Sequence, residues 1–141
     1  MCIVVYIASD FPLPLVQWND EQPEFHVTEL TIGENDCKVR SQFSKPYIYY
    51  VGAHTGCGCG FEYGKYPGYE ENVEENRQSV FRLSQYLIKA IEQNETIELF
   101  ACWDGDQAEK PVKRGRITPL EIGGESFWFE EKEFFLIERS K

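Results

Sequence analysis

The sequence predicts one α+β domain, with a mixed sheet of about five to seven strands and one principal amphipathic helix. Three observations carry that expectation. Residues 2–9, 47–53 and 96–103 are β-branched and aromatic runs with strand composition. A long helical period fills 73–93, between the second and third of these runs. Near the carboxyl end the aromatic runs 126–129 and 133–137 flank an acidic turn, the pattern of a β-hairpin.

Residues 1–141 read as a single domain. The length suits one core, 42% of the residues are hydrophobic, and no repeat or low-complexity stretch divides the chain. Ten Phe, eight Tyr and three Trp make that core bulky and separate the chain from disordered sequences.

The first strand, 2–9, has the continuous apolar character of a strand buried on both faces, and Pro12 and Pro14 stop it from continuing. A shorter strand is expected at 25–30. A short helix is expected at 36–43, where Val39 and Phe43 share a face. Pro46 introduces the strand at 47–53. Asn72, with Glu75 three residues on, marks the start of the long helix, and Asn94 marks its end. Its apolar stripe is drawn through Val73, Val80, Phe81, Leu87, Ile88 and Ile91. Arg77 falls on the same stripe and is expected to reach the rim or a carboxylate, because burying an unpaired guanidinium is costly. Strand, helix and strand from 47 to 103 form a crossover that makes the two strands parallel. A further strand is expected at 115–122, before the hairpin. Phe127 and Phe129 would face the core and Trp128 the solvent.

Charge narrows the function. With 24 acidic and 14 basic residues the net charge is −10, which disfavours partners bound by phosphate neutralisation, so no nucleic acid is expected. The basic cluster from Lys110 to Arg116 contains Pro111 and Gly115 and reads as an exposed turn. The apolar run at 2–8 has no basic residues before it and ends at Asp10, unlike a signal peptide or membrane span. The expected compartment is cytoplasmic, where five cysteines stay reduced.

The stretch 54–60, His54-Thr55-Gly56-Cys57-Gly58-Cys59-Gly60, concentrates the chemistry. Two thiolates and an imidazole are ligands for zinc or a similar divalent transition metal, and the intervening glycine gives the backbone freedom to turn both sulfurs toward one ion. The fourth ligand is open between Asp104, Asp106, Asp10, Cys102 and water. Ligands gather beyond the carboxyl ends of parallel strands. That edge would collect His54, Cys57, Cys59 and Asp104 as metal ligands, and Asp106 and Arg77 as ligand-binding groups. Asp10 joins them if the first strand runs the same way. The reaction such a site suits is metal-assisted hydrolysis.

Two further chemistries share these residues. Cys57 or Cys59 can act as a reactive thiolate, although a Cys-x-Cys disulfide closes a strained ring. Cys2 can act as an amino-terminal nucleophile, but at the head of an apolar strand it reads as a small buried filler, as does Cys102. Asp104-Gly105-Asp106 is also an ordinary turn. Against all of these stands a non-catalytic interaction domain whose glycine/cysteine loop is structural, and whose Tyr63, Tyr66 and Tyr69 hold a protein partner. Catalytic residues, substrate and oligomeric state are not legible in the sequence. The partner it allows is a protein or a small-molecule ligand, with no membrane.

Overall fold

The computed structural model describes residues 2–30, 34–65, 68 and 71–139. They build a six-stranded mixed sheet with one main helix. The strands are β1 (Ile3–Ser9), β2 (His26–Glu29), β3 (Tyr47–Gly52), β4 (Thr96–Trp103), β5 (Lys113–Ile117) and β6 (Glu133–Glu138), and their order across the sheet is β2-β3-β1-β4-β6-β5. The helices are α1 (Glu34–Lys38), α2 (Val73–Ile91) and α3 (Pro119–Ile122).

The centre of the sheet positions everything else. β3 and β4 run parallel, as the crossover through α2 requires, but they are not neighbours. β1 lies between them, antiparallel to both, with Val5 opposite Val51 on one side and Ala101 on the other. Its residues alternate between two cores. Val5 and Ile7 face α2, while Val4 and Tyr6 face the opposite side with Phe100, Cys102 and Val39. The prediction of a strand buried on both faces therefore holds.

The direction of β1 decides on which edge Asp10 lies. Because β1 is antiparallel to its neighbours, its amino end meets the carboxyl ends of β3 and β4, and Asp10 lies at the other edge. There Asp10 pairs with Lys45 at 2.7 Å, and its amide donates to the Asn94 side chain at 3.1 Å. Asn94 also accepts from Ser9 and donates to the Ala90 carbonyl at 2.9 Å, so it ties the end of α2 to the end of β1. The buried Glu98 holds the same edge by accepting the Ser44 and Lys45 amides, both at 3.0 Å.

α2 buries Val80, Leu83, Leu87, Ala90 and Ile91, each large aliphatic contributing about 2 kcal/mol. The stripe is centred one position away from the sequence reading. Leu83 is inside, while Phe81 and Ile88 stay exposed, because the i, i+3, i+4, i+7 set running from Val80 is the one aimed at the sheet. Asn72 precedes the helix with φ of 56° and makes no side-chain cap, so the start has backbone geometry different from the expected box. A true capping box forms instead at Thr118 and Glu121, where α3 begins on Pro119.

The carboxyl-terminal strand pair is β5 and β6, which run parallel and are joined through α3. Residues 126–129 form no strand of their own. Phe127 makes an isolated bridge to Tyr63, and both Phe127 and Phe129 turn into the core, where the Phe129 ring meets Phe61 and Phe127 edge to face. The aromatic side chains of this run are used for packing, and β6 finds its antiparallel partner in β4. The expected strand at 115–122 divides into the end of β5 and α3. The basic cluster, read as a turn, supplies the edge strand. Its charges protect an exposed edge from further pairing, and Arg114 lies 5.0 Å over the Phe134 ring. The short helix expected at 36–43 appears as α1 continued by a 3-10 turn at Val39–Gln42.

Candidate metal centre

The chain leaves β3 at Gly52 and folds back on itself within a few residues. The Ala53 amide donates to the Cys57 carbonyl at 2.8 Å, the Gly56 amide to the Ala53 carbonyl at 3.0 Å, and the Thr55 hydroxyl to the Cys57 carbonyl at 3.2 Å. Gly56 takes the left-handed turn, with φ of 91°, and its carbonyl accepts the Tyr50 hydroxyl at 2.8 Å. Gly58 serves a different purpose. A Cβ there would stand 2.7 Å from the Val5 side chain and 3.0 Å from the Ile3 carbonyl, so only glycine lets the turn lie directly against β1.

That approach brings in a residue the sequence reading set aside. The sulfurs of Cys2, Cys57 and Cys59 all lie within 4.8 Å of one another. Among the described residues no other group of three metal-ligating side chains converges this closely. Three cysteines so placed can hold a metal ion. Cys2 is exposed rather than buried, and Cys57 and Cys59 are half-buried. The Ile3 amide donates to the Cys59 sulfur at 3.3 Å, and the Asp104 amide donates to the Cys2 carbonyl at 2.9 Å. Cys2 was legible as a candidate only if the first strand ran antiparallel to the crossover strands, which brings residue 2 to the edge where residues 57–59 emerge.

The sulfurs share their protons unequally. The Cys57 thiol is lowered to about 5, chiefly because the Cys59 thiol donates to it; burial, the next largest effect, opposes the shift, and the Cys59 amide and the Cys2 thiol add to the lowering. Cys59 is raised, first because its thiol proton is held by Cys57 and then by burial. One thiolate therefore belongs to the cluster, and it rests on Cys57, which gathers the more donors. Burial raises the neighbouring Tyr50 hydroxyl, and the Cys57 charge raises it further. Tyr50 therefore remains a neutral donor beside the sulfurs. Cys102 lies outside the cluster, and burial pushes its thiol up to about 12, in keeping with the inert filler expected of it.

The other expected ligands go elsewhere. His54 is not in the sulfur cluster. Its ring Nδ1 and backbone amide both engage the Ser79 hydroxyl, at 2.8 and 3.2 Å, so it is turned toward α2 by the tight start of the loop. Asp104 lies beside Cys2 through its backbone, while its carboxylate accepts from Gln107 at 2.8 Å. Asp106 continues the turn, its amide donating to the Trp103 carbonyl at 3.0 Å. Gln107, fully buried, also donates to the Tyr6 hydroxyl at 3.1 Å, and Tyr6 donates to Asp36. The Asp-Gly-Asp turn thus belongs to a polar network that anchors the far face of the sheet. Arg77 reaches the rim, with Glu74 at 3.9 Å and the Tyr63 ring at 5.6 Å, and Asp10 is at the opposite edge. Tyr63 is buried, and Tyr66 and Tyr69 lie outside the described residues.

No described helix is long and apolar enough to cross a membrane. The chain was also compared with protein-family models, curated proteins and solved structures, and none matches.

Proposed function

We propose that this protein binds one thiophilic ion, zinc or a close relative, through Cys2, Cys57 and Cys59. The observation that carries the reading is the mutual approach of three sulfurs from two distant parts of the chain. Sulfur donors select soft or borderline ions such as zinc and monovalent copper over magnesium and calcium. The half-buried position and the single resident thiolate also suit metal entry, since displacing two remaining thiol protons completes the donor set.

Three protein sulfurs leave the fourth position of a tetrahedral ion for water or an incoming donor. Metal-assisted hydrolysis would use that position. Three thiolates on a divalent ion give a net charge of −1, however, which weakens the pull on a bound water. Holding and exchanging a soft ion is therefore the better-supported activity. The exposed Cys2 is the donor through which exchange with another thiol ligand would begin.

Elemental analysis of reduced protein purified without chelator tests this reading. The expectation is about one ion per chain, with loss of metal lowering thermal stability. Less than about a tenth of an ion per chain, with metal-free protein equally stable, would sink it.

A further inference from the structure

We infer that Cys2 and Cys57 are also a hydroperoxide-sensitive dithiol, whose oxidation closes a disulfide between the start of β1 and the glycine-rich turn. Closure removes two of the three sulfur donors, so the bound ion is released. The release step rests on the metal reading above, and the disulfide does not.

Geometry selects this pair. The sulfurs of Cys2 and Cys57 lie within 4.8 Å of each other, so a modest approach brings them to bonding distance. A Cys57–Cys59 bond would close a small, strained ring across one residue. Cys59 is also held by the Ile3 amide at 3.3 Å. Cys2 comes from a different segment, is exposed, and precedes the first paired residue of β1, so it can close on Cys57 without shifting the register of the sheet. Cys37 and Cys102 are outside the cluster.

The chemistry balances with a small hydroperoxide as oxidant. The Cys57 sulfur attacks the distal peroxide oxygen; an S–O bond forms, the O–O bond breaks, and the leaving oxygen takes up a proton to depart as water or an alcohol. Cys57 is then a sulfenic acid. The Cys2 sulfur attacks the Cys57 sulfur, the S–S bond forms, the S–O bond breaks, and hydroxide leaves as water, taking the proton of Cys2 in the metal-free protein or a proton from solvent when Cys2 is held as a thiolate by the ion. Two thiols have lost two electrons, and the hydroperoxide has gained them. A dithiol reductant restores both cysteines by exchange.

The test treats zinc-loaded, reduced protein with equimolar hydrogen peroxide, maps cysteine states by peptide mass spectrometry and follows free zinc with a chromogenic chelator. The expected result is a Cys2–Cys57 linked peptide, two thiols lost for each zinc released, and reversal by dithiothreitol. Cys2→Ser should form no internal disulfide and accumulate Cys57 sulfenic acid, trapped by a cyclic dione, while Cys37→Ser should behave as the unaltered protein. Over-oxidation of Cys57 with Cys2 still a thiol, or a Cys57–Cys59 product in its place, would overturn the inference. Zinc retained through complete disulfide formation would overturn the release step. Protein that takes up no zinc yet forms the Cys2–Cys57 bond would contradict the metal reading while upholding the dithiol.

Discussion

The Ile3 amide donates to the Cys59 sulfur at 3.3 Å across 56 residues of sequence. The contact fastens the head of β1 to the turn that follows β3. The sulfur cluster is thus a product of the tertiary fold, assembled only when β1 is inserted between the two strands of the crossover.

Replacing Cys2, Cys57 or Cys59 singly with Ser should each weaken zinc affinity by about 100-fold or more. The comparison is with outer partners of metal ligands, whose loss already costs about 10–100-fold. His54→Ala and Asp10→Asn should leave affinity within about twofold, because His54 serves Ser79 and Asp10 lies at the opposite edge. Competition titration against a zinc chelator reads both results.

Gly58→Ala should destabilise the fold by about 1–3 kcal/mol through overpacking, since its Cβ would meet Val5 at 2.7 Å and the Ile3 carbonyl at 3.0 Å. The same change should weaken metal binding, because the turn must back away from β1. Urea denaturation and the zinc titration should therefore move together.

Much of this was legible in the sequence, for identifiable reasons. The strands at 47–53 and 96–103 and the helix between them follow from composition and period, and the position of Cys57 and Cys59 at the strand ends follows from their place after β3. The insertion of β1 does not follow, because a strand buried on both faces has the same apolar run whichever way it points. That ambiguity hid Cys2 and left the place of Asp10 conditional on the direction of the strand. His54 lies apart from the sulfurs for a related reason: spacing puts it next to the cysteines, but the bond between the Gly56 amide and the Ala53 carbonyl turns the chain between them. Gly58 was read as conformational freedom, and its use is close contact with β1.

The pH dependence of thiol alkylation should separate the cysteines. Cys57 should react with iodoacetamide with a midpoint near its lowered value of about 5, while Cys102 should stay unmodified until the protein unfolds. The signs for stability follow. A thiol lowered from 9.0 to about 5 contributes stability that is present above pH 9 and is lost as pH falls toward 5. Cys102, raised from 9.0 to about 12, contributes stability present below pH 9 and lost as pH rises toward 12. Peptide-resolved alkylation and denaturation of Cys57→Ser and Cys102→Ala across pH check both directions.

His54→Ala should cost about 1 kcal/mol, the net value of one hydrogen bond, because the Ser79 hydroxyl loses the ring but keeps the residue 54 amide. A thermal shift of a few degrees with unchanged zinc stoichiometry is the expected outcome.

X-ray absorption at the metal edge of the zinc-loaded, reduced protein tests the central claim most directly. The account predicts three sulfur scatterers at about 2.3 Å and one lighter ligand, with one sulfur lost in each of Cys2→Ser, Cys57→Ser and Cys59→Ser. A first shell dominated by nitrogen and oxygen, or a sulfur count unchanged when Cys2 is replaced, would contradict it.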